Sequence, residues 1–345
     1  MIDLAGLSLP LILTAFAAAG IVVLLAGARL TRLADRFADV SGIGEALTGA
    51  VFLGLITSLS GSVTSVWTAA TGHPELSLSN ALGGITAQTA FLVIADLAYR
   101  RANLEHAAAS LPTMVSGAVL IVLLTMLLAA EALPPVSILG VHPVTPLLLI
   151  VYGLGMRIAA EAGARPMWGP AKTALTNLDE PDEPERGGES VLRLGGWILL
   201  LGALVGVAGL LIAEAGIAMV EKAGVREGVV GALMTAIATS TPELVTTVAA
   251  VRRGALTLAV SGILGGNAFD VLFAAFSDVA YRPGSIYHEM AQDQRLIVLV
   301  AILMTAVLLV GMLRRERYGL ANVGFESVTM LGLYVASVAA LIWLF

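Results

Sequence analysis

An acid stands in the middle of an apolar stretch that reads Ala238-Thr-Ser-Thr-Pro-Glu-Leu244. Glu243 lies nine residues before Arg252, roughly 13 Å along a helix, which places it near the centre of a span. An ionised group there is expensive unless it is paired, hydrated or bound to a cation. Pro242 has no N–H, so it frees a carbonyl one turn earlier. That carbonyl, the hydroxyls of Thr239, Ser240 and Thr241, and the Glu243 carboxylate are predicted to form a cluster of hard oxygens. Sodium and calcium prefer such ligands. The next span contributes Leu264-Gly-Gly-Asn-Ala-Phe-Asp270. Its glycines permit close helix approach or local unwinding, and Asn267 and Asp270 fall one turn apart on one face.

The same pattern occurs earlier in the chain, 182 residues upstream. Gly49-Ala-Val-Phe-Leu-Gly-Leu-Ile-Thr-Ser58 aligns with Gly231-Ala-Leu-Met-Thr-Ala-Ile-Ala-Thr-Ser240 without a gap. The register continues through Leu82-Gly-Gly84 and ends on Asp96, Tyr99 and Arg100 against Asp278, Tyr281 and Arg282. Between Thr57 and Arg100, 16 of 44 positions are identical to their counterparts. The two copies lie five spans apart, an odd number, and must therefore run in opposite directions. Inverted repeats with a site near the midplane are a mark of secondary transporters.

The run Thr239-Ser-Thr-Pro-Glu243, then Arg252-Arg-Gly254, then Leu264-Gly-Gly-Asn-Ala-Phe-Asp270 resembles the second α-repeat of the cation/Ca²⁺ exchanger superfamily, the sodium/calcium and cation/proton exchangers. The resemblance implies ten transmembrane helices in two inverted five-helix halves around a midplane cation site. It assigns Thr239, Ser240, Glu243 and Asp270 to that site, with Glu243 and Asp270 as the ion-ligating carboxylates and Asn267 as a weaker ligand. Calcium-moving members of the family carry a matching glutamate in the first repeat. This chain reads Thr57-Ser-Leu-Ser-Gly61, so Gly61 stands where the acid is expected and Ser60 where the proline is. Gln88 stands opposite Asp270 and Ile85 opposite Asn267. Two carboxylates from the second half then face a neutral wall of Thr57, Ser58, Ser60, Ser62, Thr64, Thr86 and Gln88. Gly61 is predicted to open space beside them. Calcium takes six to eight oxygens, and moving three sodium ions against one calcium needs several sites, which two acids serve poorly. A buried carboxylate takes up a proton more readily when its ion leaves, because desolvation disfavours the charged form.

Elements that position these groups follow from composition. Of 345 residues, 58% are hydrophobic and 13% charged, and the mean hydropathy is +0.91. Soluble domains carry about 25% charged residues. Ten candidate spans emerge at 8–28, 43–70, 77–99, 112–131, 143–163, 194–215, 228–251, 256–281, 295–313 and 325–344. The fold class expected is an all-α membrane protein. Its first half is 1–163 with a degenerate α-repeat at about 45–100, and its second half is 194–345 with an α-repeat at about 227–282. Between them, residues 164–193 hold Asn177-Leu-Asp-Glu-Pro-Asp-Glu-Pro-Glu-Arg186 and read as an acidic linker. Met1 to Pro10 has no basic residue, so the first apolar run reads as a retained span. Cysteine is absent, which excludes disulfides and thiolate chemistry. His73, His106, His142 and His288 fall in predicted loops without metal-ligand spacing. No phosphate loop, nucleophile triad or nucleic-acid patch is present.

Other ionisable groups have local explanations. Asp96 and Asp278 each precede an arginine by four residues and are predicted to form ion pairs near span ends. Glu45, Glu227 and Glu326 stand near the starts of spans, where acids suit the helix dipole. The function expected is a secondary-active antiporter of an inorganic cation of the Na⁺ or Ca²⁺ class, exchanged for protons. It is not an enzyme and has no cofactor; its partners are cations, protons and the bilayer. The alternatives are an exchanger relative moving a non-calcium or polar organic substrate, and a scaffold or sensor that kept only the fold. Retention of both Glu243 and Asp270 argues against the scaffold. Of 19 Lys and Arg, 15 fall in loops after odd-numbered spans. That bias orients the chain in the cell membrane with both termini outside and residues 164–193 in the cytoplasm. Single cysteines introduced near Arg186 should therefore resist an impermeant thiol reagent in intact cells, and labelling from outside would reverse the topology.

Overall fold

The computed structural model describes residues 4, 6–41, 54–99, 103–164, 169, 190–314 and 324–345. The chain is an all-α membrane protein. Helices are α1 (Leu9–Phe37), α3 (Pro74–Ala98), α4 (Leu111–Ala132), α5 (Val144–Ala164), α6 (Val191–Ala223), α8 (Leu256–Ala280), α9 (Gln292–Arg314) and α10 (Phe325–Trp343), each long and apolar enough to cross a membrane. Between α6 and α8, Glu227–Thr239 and Thr241–Arg253 form a ninth span, α7, bent by 46°. The span expected at 43–70 is described from Gly54 onward, where Leu59–Ala70 forms α2. Glu45, Arg100, the start of the first α-repeat and most of the 164–193 linker lie outside the described residues. The sixth span extends beyond its predicted ends, beginning at Val191 and reaching Ala223 before Gly224 turns left-handed. His106 falls in a short helix, Leu104–Ala108, and His288 in a 3₁₀ turn, Ile286–Glu289, rather than in open loops.

Burial sorts these helices into a centre and a periphery. In α3 and α8, 83% and 72% of the most apolar stretch is buried inside the bundle. For α1, α5 and α10 that share is 22–28%, and their apolar faces are left for lipid. The central helices can therefore carry polar residues: Ser77, Ser79, Asn80, Thr86, Gln88, Thr89 and Asp96 are all buried in α3. Each finds a partner, as buried polar groups must. Ser77 bonds Ser277 at 2.9 Å, Gln294 donates to Ser79 at 2.9 Å, and Thr235 donates to Asn80 at 2.7 Å.

In a bilayer, helices associate by close packing and hydrogen bonds rather than by exclusion of water. The tightest example is α3 against the π-helical turn Val230–Thr235 of α7. A side chain at Gly83 would put Cβ 2.5 Å from the Cα of Ala232 and 2.6 Å from its carbonyl oxygen. The obstacle is backbone, which cannot rotate away.

Asp278 does not form the local ion pair predicted for it, while the pair predicted for Asp96 involves Arg100, outside the described residues. Asp278 accepts from the backbone N–H of His142 at 2.8 Å and of Ile286 at 3.1 Å, and from Thr145 Oγ1 at 2.6 Å. Asp96 likewise accepts from Leu104 N–H and Ser327 Oγ, both at 2.9 Å, and more weakly from Gly324 N–H at 3.4 Å. Each aspartate thus ties the end of a central helix to segments distant in the chain. Glu326 does sit in the first turn of its helix, and it is fully buried beside Asn103, which donates to it.

Glu227 also occupies a first helical turn, and its carboxylate does more than face the dipole. One oxygen meets His73 Nδ1 at 2.7 Å and the other accepts from Leu76 N–H at 2.9 Å, capping α3 from a neighbouring helix. The hydrogen bond to Glu227 holds the His73 imidazole above the usual histidine range, helped by the fields of Glu221 and Glu214 and opposed by partial burial. A raised folded-state value means the charged pair stabilises below the unfolded histidine pKa, and that stabilisation fades as pH rises through the folded value. His73→Gln should lower the melting temperature by about 2 °C at pH 6 and leave it unchanged at pH 9. Gly83→Ala should cost about 3 kcal/mol, whereas Gly262→Ala, which meets nothing within 4 Å, should be neutral in thermal unfolding of the detergent-purified protein.

Candidate functional site

Both copies of the repeat break their helix at the matched serine. Ser58 takes φ −88°, ψ 11°, and Ser240 takes φ −94°, ψ 4°. Only the second break carries a proline, so the kink does not depend on it. The carbonyl freed by Pro242 is that of Ala238, and Thr241 Oγ1 donates to it at 2.9 Å. Thr239 Oγ1 also turns back onto its own helix, at 2.9 Å from the Thr235 carbonyl. Of the hydroxyls predicted as ligands in this run, Ser240 alone is directed across the bundle.

The two breaks bring matched residues together in a reciprocal pattern. Ser58 Oγ donates to Asp270 Oδ1 at 2.6 Å. Gln88 Nε2 lies 3.2 Å from Ser240 Oγ. Ser58 and Ser240 are equivalent in the repeat, as are Gln88 and Asp270, so each serine meets the other copy's polar residue. At the centre of this arrangement Gln88 Nε2 donates to Asp270 Oδ2 at 2.6 Å. With Asp270 ionised, the carboxamide nitrogen faces that way, because a carboxylate oxygen that close requires a donor. Both oxygens of Asp270 thereby accept hydrogen bonds from the first copy.

A small cavity of about 10 Å³ opens at this junction, bordered by Ser58, Gln88, Ser240, Glu243, Asp270 and Phe273. Gly61, Asn80, Gly84 and Thr239 complete its wall. Glu243 is 8% exposed, and its Oε2 has no hydrogen-bond partner among the described residues. Gln88 Oε1 is likewise buried and unpartnered. A buried anionic oxygen without a donor costs free energy unless a cation or proton meets it. The arrangement supplies one bare carboxylate oxygen, one bare amide oxygen, a hydroxyl and a second carboxylate, all hard acceptors.

Several predicted residues are placed elsewhere. Thr57 Oγ1 donates to the Gly54 carbonyl at 3.1 Å and does not border the cavity. Asn267 is fully buried but its amide donates to Thr89 Oγ1 at 2.9 Å, one step outside the cavity. Ser60 bridges the copies through the Thr239 carbonyl at 3.2 Å, while Ser62, Thr64 and Thr86 bond to helix carbonyls. The space expected beside Gly61 is partly taken up, although Gly61 still borders the cavity. A Cβ on Gly61 would sit 2.8 Å from Phe273 Cε2, so the ring occupies the position an acid there would need. Asn80 and Phe273 were not anticipated as cavity residues. A polar Asn80 in an otherwise small and apolar register was a usable signal; Phe273, one more apolar residue in an apolar span, gave none.

Comparison with known proteins identifies the fold and the family. Three-dimensional superposition finds the H⁺/Ca²⁺ exchanger CAX, with a TM-score of 0.70 at 13% identity, covering 96% of this chain and 82% of that one. The sodium-calcium exchanger NCX_Mj soaked with 10 mM Na⁺ and zero Ca²⁺ gives a TM-score of 0.59 at 16% identity, covering 96% of this chain and 99% of that one. The same exchanger soaked with 10 mM Na⁺ and 10 mM Sr²⁺ gives equal values. At such identities the likeness is one of fold. No curated protein sequence matches the chain. The family model described as "Sodium/calcium exchanger protein" matches residues 11–155 and 194–343. With both segments matched and the exchanger fold spanning nearly its whole length, this chain belongs to the sodium/calcium exchanger protein family.

Proposed function

We propose that the chain is a secondary-active antiporter that exchanges an inorganic cation for protons at the junction of Glu243 and Asp270. The observation that carries this reading is the bare Glu243 Oε2, buried beside a second carboxylate in a cavity bordered by both repeat copies. Either a cation or a proton relieves that oxygen, and the two are mutually exclusive there. Such exclusion is the minimum requirement for coupled exchange, because one ligand must leave before the other binds. Ser58, Ser240 and Gln88 position the pair. A cavity of about 10 Å³ has room for one water-sized body, which favours an ion over a polar organic substrate. The two halves, 1–163 and 194–345, alternate access to the site about the breaks at Ser58 and Ser240. The basic bias of the odd-numbered loops orients the chain in the cell membrane, both termini outside.

The two acids should respond differently to neutralisation. Glu243→Gln removes a bare charge and should raise thermal stability without added cation. Asp270→Asn sets an amide against the donors Ser58 and Gln88 and should lower it. Both variants should lose cation-driven proton flux in proteoliposomes, read as a pH change in the lumen under an imposed Na⁺ or Ca²⁺ gradient. Wild-type vesicles that move no protons with either cation would overturn proton coupling.

A further inference from the structure

The site is asymmetric in a way that charge alone does not describe. The repeat places Gly61 where its partner copy places Glu243, and Gly61 borders the cavity. A Cβ built there would lie 2.8 Å from Phe273 Cε2, 3.3 Å from Cζ, and 3.7 Å from Thr239 Oγ1. Any side chain at position 61 would therefore enter the space between the Phe273 ring and the second-copy hydroxyls. The ring is not free to swing away. Phe273 is 3% exposed and packs edge-on against Phe269, with centroids 6.3 Å apart and planes at 83°. Phe269 is itself held edge-on by Tyr152 at 5.9 Å. Its ring also lies where a Cβ on Gly54 would come within 3.3 Å. Phe273 of the second half, braced by Phe269 and, behind it, Tyr152 of the first half, thus presses into the place vacated at Gly61.

The consequence for a bound ion is geometric. Oxygen acceptors border the cavity from Glu243, Asp270, Ser240 and the Gln88 carbonyl, and the Phe273 ring forms part of the same wall. Both Asp270 oxygens already accept hydrogen bonds from Ser58 and Gln88, which spreads its charge onto neutral donors. Calcium needs six to eight oxygens, and at the place where the second copy supplies the Glu243 carboxylate the first copy offers Gly61 with the Phe273 ring against it, which supplies none. We infer that Phe273, wedged against Gly61, is a specificity-determining residue that restricts the site to a single monovalent cation. The inference rests on the reading of this cavity as a cation site. It adds that restoring an acid at position 61 is not sufficient to gain divalent binding.

The test is a double-mutant cycle on the full-length protein in detergent, with Na⁺ and Ca²⁺ titrated by calorimetry and by thermal shift. Wild type should bind Na⁺ in preference to Ca²⁺. Gly61→Glu alone should lose Na⁺ affinity and gain none for Ca²⁺, because its side chain collides with the ring. Gly61→Glu with Phe273→Ala should raise Ca²⁺ affinity about tenfold or more over wild type. Equal Ca²⁺ gain in the single and double variants would overturn the role of Phe273, and so would a wild-type preference for Ca²⁺. Should the acidic variants fail to fold, Gly61→Ala reads the steric contact without charge. It should weaken Na⁺ binding several-fold and recover with Phe273→Leu; Gly61→Ala with wild-type affinity would refute the contact. The antiporter reading fails separately, if neither cation binds wild type or if Glu243→Gln leaves binding intact.

Discussion

One hydrogen bond, from the Gln88 carboxamide to the Asp270 carboxylate, sets the chemistry of the junction. The two residues are equivalent in the repeat, so a faithful duplication would have brought two aspartates together at 2.6 Å. Like charges at that separation cannot both ionise and would need a shared proton or a bound cation merely to coexist. Replacing one by glutamine turns repulsion into a donor–acceptor contact that holds without any ion. Asp270 becomes a doubly hydrogen-bonded group, while Glu243 Oε2 is left without a donor among the described residues. The matched serines complete the arrangement, each supporting the polar residue of the other copy.

That contact exists only because the central helices approach closely. Glycine at position 83 lets the backbone of α3 approach the backbone of Ala232 in the π-helical turn Val230–Thr235. The polar groups in α3 would be costly in lipid, yet the peripheral helices keep lipid from them. Burial is therefore unequal by design of the pattern: peripheral helices are apolar outward, and central helices carry the serines, threonines and amides. The two aspartates at the helix ends add long-range ties, so the central pair is anchored at its ends as well as along its length.

What could be read from the amino acids was whatever repeats or stands out against an apolar background. Glu243 and Asp270 are conspicuous because charge is rare in spans, and Ser58, Ser240 and Gln88 follow from the 182-residue register. The helical architecture was legible for the same reason, because hydropathy and basic residues alternate. Thr57 and Asn267 were misjudged because a side chain's direction depends on where its helix breaks and what packs against it. Asp278 was misread because an i,i+4 rule sees only the local helix. Its partners His142 and Thr145 lie far off in the chain, as does Ser327, which donates to Asp96. Phe273 was invisible: only the fold brings it against Gly61, more than 200 residues away, and neither residue advertises chemistry.

The two helix breaks share a shape but not a constitution. At position 242 proline has no N–H to return to the helix, and the next backbone bond, Leu244 N–H to the Ser240 carbonyl, is stretched to 3.4 Å. At the matched place in the first copy, serine keeps its N–H, and Ser62 N–H reaches the Ser58 carbonyl at a normal 2.9 Å. Mechanically, one joint is a permanent elbow and the other a bend that could close into continuous helix. If the chain alternates access as proposed, two inverted repeats with joints of different constitution would make its inward-facing and outward-facing forms unequal in energy before any ion gradient acts on them.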